Sequence, residues 1–397
     1  MEALHVATVT TNAQGLFKGC KLPNNGPTIS HLLYADDVLF VGEWPDSNIH
    51  NLARILRCFN LASGLKVNFN KSQLFGIGLN CDLVEQKASI LQCKMGVLPF
   101  TYLGLPVGLN MGLVKNWKPI IDRFEDKLSI WKARTLSFGG RVTLIQAVLG
   151  NLPSYYLSLF SAPSLVLKCL EGIRRKFLWG GCTDKNKICW APWHKVVAPK
   201  NNGGMGIGSL DSLNKSLMIK WAVRFKNEPT SLWASVISAI HGGGRCLSYI
   251  PLKSSISGAW KSIVNMGRFS PNQPIKVQER LTPIIGIGDK VSFWLDNWAA
   301  EVPLRVLFPN LFAIETEKQC KVMDRYTYNQ GKVVWFWGSE HTISSNDLAI
   351  EWGECLAMIE KVNIQLKYDI WQWKTGAEAG GILRSVSSDR SWITSTP

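Results

Sequence analysis

Asp36 and Asp37 are adjacent carboxylates between two apolar runs, in Ile29-Ser30-His31-Leu32-Leu33-Tyr34-Ala35-Asp36-Asp37-Val38-Leu39-Phe40-Val41. Such carboxylates can hold divalent ions. A pair of these ions activates a 3′-hydroxyl and stabilises a leaving pyrophosphate in nucleotidyl transfer. Side chains alternate along a strand, so one acid can reach a metal while the other supports it. The plainer alternative is an Asp-rich hairpin turn with no chemistry. The two residues alone favour the plain turn, and their neighbourhood must carry any catalytic reading. The apolar runs predict a hairpin of buried strands, with Ala35 and Asp36 near its turn.

The elements that must position this hairpin follow it. Ile49, Leu52, Ala53, Leu56 and Phe59 fall on one helical face, with Asp46 or Ser47 as cap and Gly64 as terminator. Leu65, Val67 and Phe69 alternate with Lys66, Asn68 and Asn70, which predicts a half-buried strand ending just before Lys71. Residues 100–108 read as a short strand or turn punctuated by Gly and Pro. From Asn116 the period becomes helical. Trp117, Ile120, Ile121, Phe124, Leu128 and Trp131 share a face. A second helix carries Val142, Ile145, Val148 and Leu149 after Gly139-Gly140. A third carries Leu170, Ile173, Phe177 and Leu178 together with Arg174-Arg175-Lys176. Asn201-Asn202-Gly203-Gly204 marks a boundary, and a helix with Leu213, Leu217, Trp221 and Phe225 follows. Beyond it, aromatic strands such as Val291 to Trp294 alternate with loops, and one helix lies near Asp347 to Ile359.

The 397 residues allow about two to four domains. Apolar residues at 46% and charged residues at 18% are a globular balance. Mean hydropathy is +0.03, yet no apolar run approaches the roughly 20 residues of a membrane helix. The first residues lack the pattern of a signal peptide, which argues against a membrane or secreted protein. The net charge of +15 suits a polyanionic partner, nucleic acid first. Between Val114 and Lys200 there are 15 Lys/Arg against 5 Asp/Glu, so this stretch carries +10 of the total and is a candidate contact surface. A solvated helical face is the bland alternative. From Glu301 to Asp369 the 7 basic and 10 acidic residues leave that part mildly acidic. Cys182, Cys189 and His194 form a loose cluster whose spacing fits no zinc module, so no zinc site is expected. The glycines 203, 204, 206 and 208 lack the spacing of a dinucleotide loop and read as a turn.

Five segments carry a resemblance. Tyr34-Ala35-Asp36-Asp37 resembles the catalytic hairpin of reverse transcriptases. Residues 63–72, Ser-Gly-Leu-Lys-Val-Asn-Phe-Asn-Lys-Ser, resemble the following strand of plant non-LTR (LINE-type) retrotransposon polymerases, including Lys71. Tyr102-Leu103-Gly104-Leu105-Pro106 resembles the element that supports the primer end. Gly203-Gly204-Met205-Gly206-Ile207 and Phe293-Trp294-Leu295-Asp296-Asn297-Trp298 resemble connector segments of the same reading frames. The resemblance implies an α+β fold: a truncated reverse-transcriptase palm over 1–110, a basic helical thumb over 111–200, and a mixed α/β connector. That connector divides into 201–300, with the Gly-rich loop and aromatic strands, and 301–397.

The resemblance also implies roles. Asp36 would be a metal ligand for Mg²⁺ or Mn²⁺, and Asp37 would support it or contact the primer terminus. Tyr34 and Ala35 would line the nucleotide and template site. Lys71 would stand near the triphosphate as general acid or positive charge; as a surface lysine it would do nothing. Tyr102, Leu103 and Gly104 would support the primer. Lys118, Arg123, Lys127, Lys132, Arg134, Arg141, Arg174, Arg175 and Lys176 would grip the backbone of an RNA template–DNA primer hybrid, with dNTP as the small substrate. A nuclear site of action follows from the family alone.

The family's metal site also uses an aspartate on an earlier strand. Here 33 residues precede Tyr34, and Glu2 is the only acid among them. The expectation is therefore a polymerase middle with an incomplete site. Asp369-Ile370-Trp371-Gln372-Trp373 resembles the lead-in to a zinc-binding module, with no Cys/His ligand set before Pro397. The alternatives are a nucleic-acid-binding remnant without catalysis and a decayed product that folds poorly, with an uncovered sheet edge.

Overall fold

The computed structural model describes residues 1–130, 136–180, 188–242, 250–265, 281–330, 332–336 and 346–373. Helices and small two-stranded pairings make a mixed fold compatible with the α+β expectation. The chain divides into two units: Met1–Leu109 with Ser235–Gly244, and Asn110–Ala234 with Arg245–Pro397.

In the first unit, α1 (Glu2–Ala13) precedes β1 (Cys20–Lys21) and β2 (Thr28–Ile29). The hairpin β3 (His31–Tyr34) and β4 (Asp37–Phe40) comes next, followed by α2 (Asp46–Ser63). Helix α2 starts and stops where its sequence signals stand. Ile49, Leu52, Leu56 and Phe59 are buried, Ala53 packs against them, and Gly64 closes the helix at φ 72°. The cap differs. Pro45 takes that place with no side-chain bond, while Asp46 pairs with Lys87 at 2.7 Å. The α2 face meets Leu4, Phe17 and Leu91 in one apolar cluster, against which Val38 and Phe40 of the hairpin pack.

The stretch from Leu65 to Asn70 is not a strand. It runs without a ladder partner into a turn at residues 69–71. Alternation supplies an amphipathic extension, but a strand also needs a neighbouring edge, and among the described residues none pairs with it. The ladder forms just after it. There β5 (Gln73–Phe75) pairs in parallel with β6 (Lys94–Gly96) across α3 (Cys81–Ile90), a small βαβ unit. Then β7 (Phe100–Tyr102) and β8 (Leu105–Val107) form a second tight hairpin. The strands of this unit thus stay in pairs rather than in one broad antiparallel sheet.

In the second unit α4 (Lys118–Ile130) follows a 3₁₀ turn over Val114–Trp117. Trp117, Ile120 and Phe124 are fully buried, as their spacing predicts. Helix α5 (Phe138–Leu144) takes Gly139 and Gly140 into its first turn. Ser137 caps it by accepting from the Gly140 N–H, and it runs on into a π-helical turn over Ile145–Leu149. Then come α6 (Ser154–Leu159), α7 (Ser164–Leu178) and α8 (Trp193–Val197). The Gly-rich loop after α8 is tied back to it, with the N–H groups of Met205, Gly206 and Gly208 donating to the carbonyls of Val196, Ala198 and Val197.

Helix α9 (Leu210–Asn227) is packed by α6, α7 and α10 (Ala259–Asn265) and by β9 (Ile370–Trp373). Its buried side chains are therefore Leu210, Asn214, Ser216, Met218, Ile219 and Ala222, and the predicted face of Leu213, Leu217, Trp221 and Phe225 is only half buried. A helix enclosed on several sides hides its face from periodicity. Val291 to Trp294 is not a strand either. A single bridge at Ser292 leads into a buried turn, with Val291, Phe293 and Trp294 fully covered. The helix predicted near Asp347 is present at Asn346–Ile359.

Candidate functional site

The two acids sit at the tip of the β3–β4 hairpin. The register pairs Tyr34 with Asp37 and Leu33 with Val38, which leaves Ala35 and Asp36 as a two-residue turn. Ala35 has φ 52°; a positive φ at the first central position matches the twist of a hairpin. Asp36 and Asp37 are both exposed, and Tyr34 is 64% exposed. The strands expected to be buried are half open: Leu32 is 41% exposed and Leu33, Val38, Leu39 and Phe40 are half-buried. Among the described residues no further strand pairs with the hairpin, and Val38 and Phe40 pack on the α2 cluster. Among the described residues neither carboxylate accepts a hydrogen bond or joins an ion pair.

The structure does bring one other predicted residue to this tip. Burial pushes the Tyr102 phenol above its ordinary value, and the nearby Asp37 charge pushes it further the same way. Tyr102 opposes Leu105, and Leu103-Gly104 form the turn between β7 and β8 with φ 48° and 79°. Two positive φ values are what the tightest hairpin turn requires. Gly104 takes this without cost, and Leu103 takes it with some strain. Lys71 is not brought in. Its side chain is exposed in the turn after Phe69, its backbone N–H donates to Asn68, and no ion pair links it to Asp36 or Asp37 among the described residues.

The donor chemistry of Asp36 and Asp37, hard oxygens with free lone pairs, suits Mg²⁺ or Mn²⁺. Their number does not suit a two-ion centre. Among the described residues no group of three or more His, Cys, Asp or Glu side chains gathers to hold a metal. Cys189 and His194 are exposed, and Cys182 lies outside the described residues.

The cations of the second unit separate into distinct kinds. On α4, Lys118, Arg123 and Lys127 are exposed, but Asp122, Glu125 and Asp126 share that helix, and Lys118 pairs with Asp122 at 3.0 Å. Arg141 is half-buried with its guanidinium 6.0 Å from the Phe138 ring. Lys132 and Arg134 lie outside the described residues. On α7, Arg175 and Lys176 are exposed, together with Lys168 seven residues earlier than Arg175 on the same face.

Arg174 is the correction. Its side chain is buried and bonds Glu171 at 3.0 Å, and it donates to the carbonyls of Gly208 and Ile207. Glu171 also accepts from Trp193 Nε1 and the Leu210 N–H. The Arg174–Glu171 pair ties α7 to α8, to the Gly-rich loop and to the start of α9, so Arg174 cannot meet a phosphate. One face of α7 is apolar, and position 174 falls on it with Leu170, Phe177 and Leu178. That spacing was the available signal.

Other buried charges had no sequence signal. Lys226 pairs with Asp296 at 3.0 Å, and its Nζ lies 4.6 Å from the Trp371 ring; burial pulls its pKa down, against the pull of Asp296. Arg325 pairs with Glu315 at 2.9 Å, and Glu315 also accepts from Trp294 Nε1. Asp369 accepts from the N–H groups of Gly286, Gly288 and Lys290 and so closes the loop against the Ile370–Trp373 strand. Gly286 is needed there because a Cβ would collide with the Lys367 carbonyl. Asp289 stands beside Asp369, and burial, then the Asp369 charge, push its pKa up.

No family model matches the chain. Two curated proteins of Arabidopsis thaliana do. One is named "Putative ribonuclease H protein At1g65750": 34% identical over 187 residues, covering 47% of this chain and 29% of that protein. The chain thus spans under a third of that relative's length. The other is named "Uncharacterized mitochondrial protein AtMg00310": 30% identical over 155 residues, covering 38% of this chain and 96% of that protein. The exposed acidic hairpin stands on a mixed fold whose relatives support a retroelement-related origin. Within that class the chain belongs to the family of the mitochondrial protein AtMg00310.

Proposed function

We propose that the chain is the palm-hairpin, thumb and connector part of a non-LTR retrotransposon reverse transcriptase, and that by itself it binds RNA–DNA hybrid without extending a primer. The observation that carries this reading is the hairpin tip. Two carboxylates stand free in solvent on a two-residue turn, with Tyr102 of a second tight hairpin beside Asp37. Among the described residues no ion pair or side-chain hydrogen bond takes up the carboxylate of Asp36 or Asp37. Asp36 would be the ligand for Mg²⁺ or Mn²⁺ and Asp37 its support, with Tyr34 and Ala35 toward the nucleotide and template. Two carboxylates alone hold a pair of ions poorly, so no catalytic step is assigned to these residues.

Binding would fall to the exposed cations, Arg175, Lys176 and Lys168 on α7 first and the mixed-charge face of α4 second. Phosphate contacts of this kind position a duplex and carry little sequence preference. Anisotropy of a labelled RNA–DNA hybrid tests this. Binding should weaken steeply with salt, and Arg175→Glu with Lys176→Glu should lower the log–log salt slope by about one for each phosphate no longer neutralised. Hybrid binding that ignores both salt and these reversals would sink the reading.

A further inference from the structure

His5 on α1 and His31 on β3 meet nitrogen to nitrogen: His5 Nδ1 lies 2.8 Å from His31 Nε2, with ring centroids 5.0 Å apart. Nothing in the proposed polymerase reading uses them. Both ligands stand on anchored backbone. Leu4 and Thr8 flank His5 on α1 and are buried, and His31 is held in register opposite Phe40.

The other nitrogen of His31, Nδ1, lies 2.8 Å from the buried Ser30 Oγ. A partner on the second ring nitrogen is the usual device that fixes the tautomer and orientation of a metal-binding histidine. With the Nδ1 proton directed at Ser30 Oγ, the His31 Nε2 lone pair faces His5. Two imidazole nitrogens bound at about 2.0–2.1 Å and at a right angle to one ion stand about 2.9 Å apart. A tetrahedral angle would need about 3.3–3.4 Å. The observed 2.8 Å is a hydrogen-bonded spacing, and it is one that two cis imidazoles on a tetragonal ion could keep once the shared proton has left.

We propose that His5 Nδ1 and His31 Nε2 form a two-point site for Ni²⁺ or Cu²⁺ that clips α1 to the β3–β4 hairpin. The proton balance is simple. The His5 tautomer that donates to His31 has its ring proton on Nδ1. That proton moves through solvent from Nδ1 to the exposed Nε2, and Nδ1 then offers its lone pair to the metal. His31 keeps its proton on Nδ1. Water fills the remaining coordination positions, because His5 is exposed. Burial, then the neighbouring His5, hold His31 below the ordinary histidine value.

The test is calorimetric titration of the purified full chain with Ni²⁺, beside His5→Ala, His31→Ala, the double variant and a His50→Ala control. The expected result is one tighter Ni²⁺ site. Each single His5 or His31 variant should lose it by at least tenfold, the double should lose no more, and His50→Ala should keep it. Ser30→Ala should weaken it by about tenfold, the lower end for losing an orienting partner. Zn²⁺ should bind less tightly than Ni²⁺. Far-UV circular dichroism of each variant separates lost ligation from lost folding, since exposed His5 can be removed without disturbing the apolar cluster. Ni²⁺ binding that His5→Ala and His31→Ala leave unchanged would overturn the proposal, as would a site whose loss tracks His50 or a cysteine.

Discussion

Asp36 and Asp37 stand in solvent at a hairpin tip, whereas Asp296, Glu315 and Asp369 lie buried in the second unit, each tied to donors. The same side-chain chemistry does opposite work. A buried carboxylate must be paired or hydrogen-bonded, and so becomes part of the fold. An exposed pair at a hairpin turn, with no side-chain partner among the described residues, stays available to a ligand. The difference sorts acids by duty without any appeal to their neighbours in sequence. It extends to the cations: Arg174 belongs with the structural set, and Arg175 and Lys176 belong with the available set.

The comparison makes measurable claims, and the largest is on the buried side. Arg325→Met leaves the buried Glu315 without its cation. It should destabilise the fold by about 3–5 kcal/mol, the usual cost of breaking a buried pair. Urea unfolding followed by tryptophan fluorescence reads this, and a loss below about 1 kcal/mol would erase the distinction. Next, Asp369→Ala strips the acceptor from three backbone N–H groups. At about 1–3 kcal/mol for a buried donor left unsatisfied, it should also loosen the 286–290 loop, seen as faster amide exchange there.

A smaller effect is expected in the first unit with pH. The folded His31 is held below its ordinary value of 6.5. The unfolded chain therefore takes up the proton first, and stability is lost as pH falls from above 6.5 through the lower folded value. Melting the chain between about pH 8 and pH 5 beside His31→Phe checks the sign; the variant should show a shallower fall. The smallest effect belongs to the hairpin tip. Asp36→Asn should change stability by no more than about 0.5 kcal/mol, as for a surface residue without partners. Asp37→Asn should bring the Tyr102 phenol part of the way back toward its usual range, readable by ring-carbon NMR, with the share due to burial remaining.

Sequence and structure agree where one local rule decides the outcome. The α2 helix runs to Gly64 because its stripe and terminator stand together, and the turn of the acidic hairpin falls at Ala35-Asp36 because polar residues interrupt two apolar runs. They part where a distant partner decides. Leu65 to Asn70 alternates like a strand and finds no edge, while the shorter Gln73–Phe75 pairs with Lys94–Gly96 through an intervening helix. Val291 to Trp294 looks like a strand because its aromatic residues are buried, but they are buried in a turn held by Asp296 and Glu315. Arg174 reads as one of three cations in a row until the helical period is applied to it. The proximity of Tyr102 to Asp37 lies between these cases: each hairpin is local, and their meeting is tertiary.

The most direct test of the central claim is primer extension on an RNA template–DNA primer hybrid with Mg²⁺ or Mn²⁺, run with the full chain and with Asp36→Asn, alongside hybrid binding at rising salt. The account predicts no extension by either protein and equal, salt-sensitive binding by both. Extension that disappears in Asp36→Asn would mean that the chain completes the carboxylate set itself, and would contradict the account.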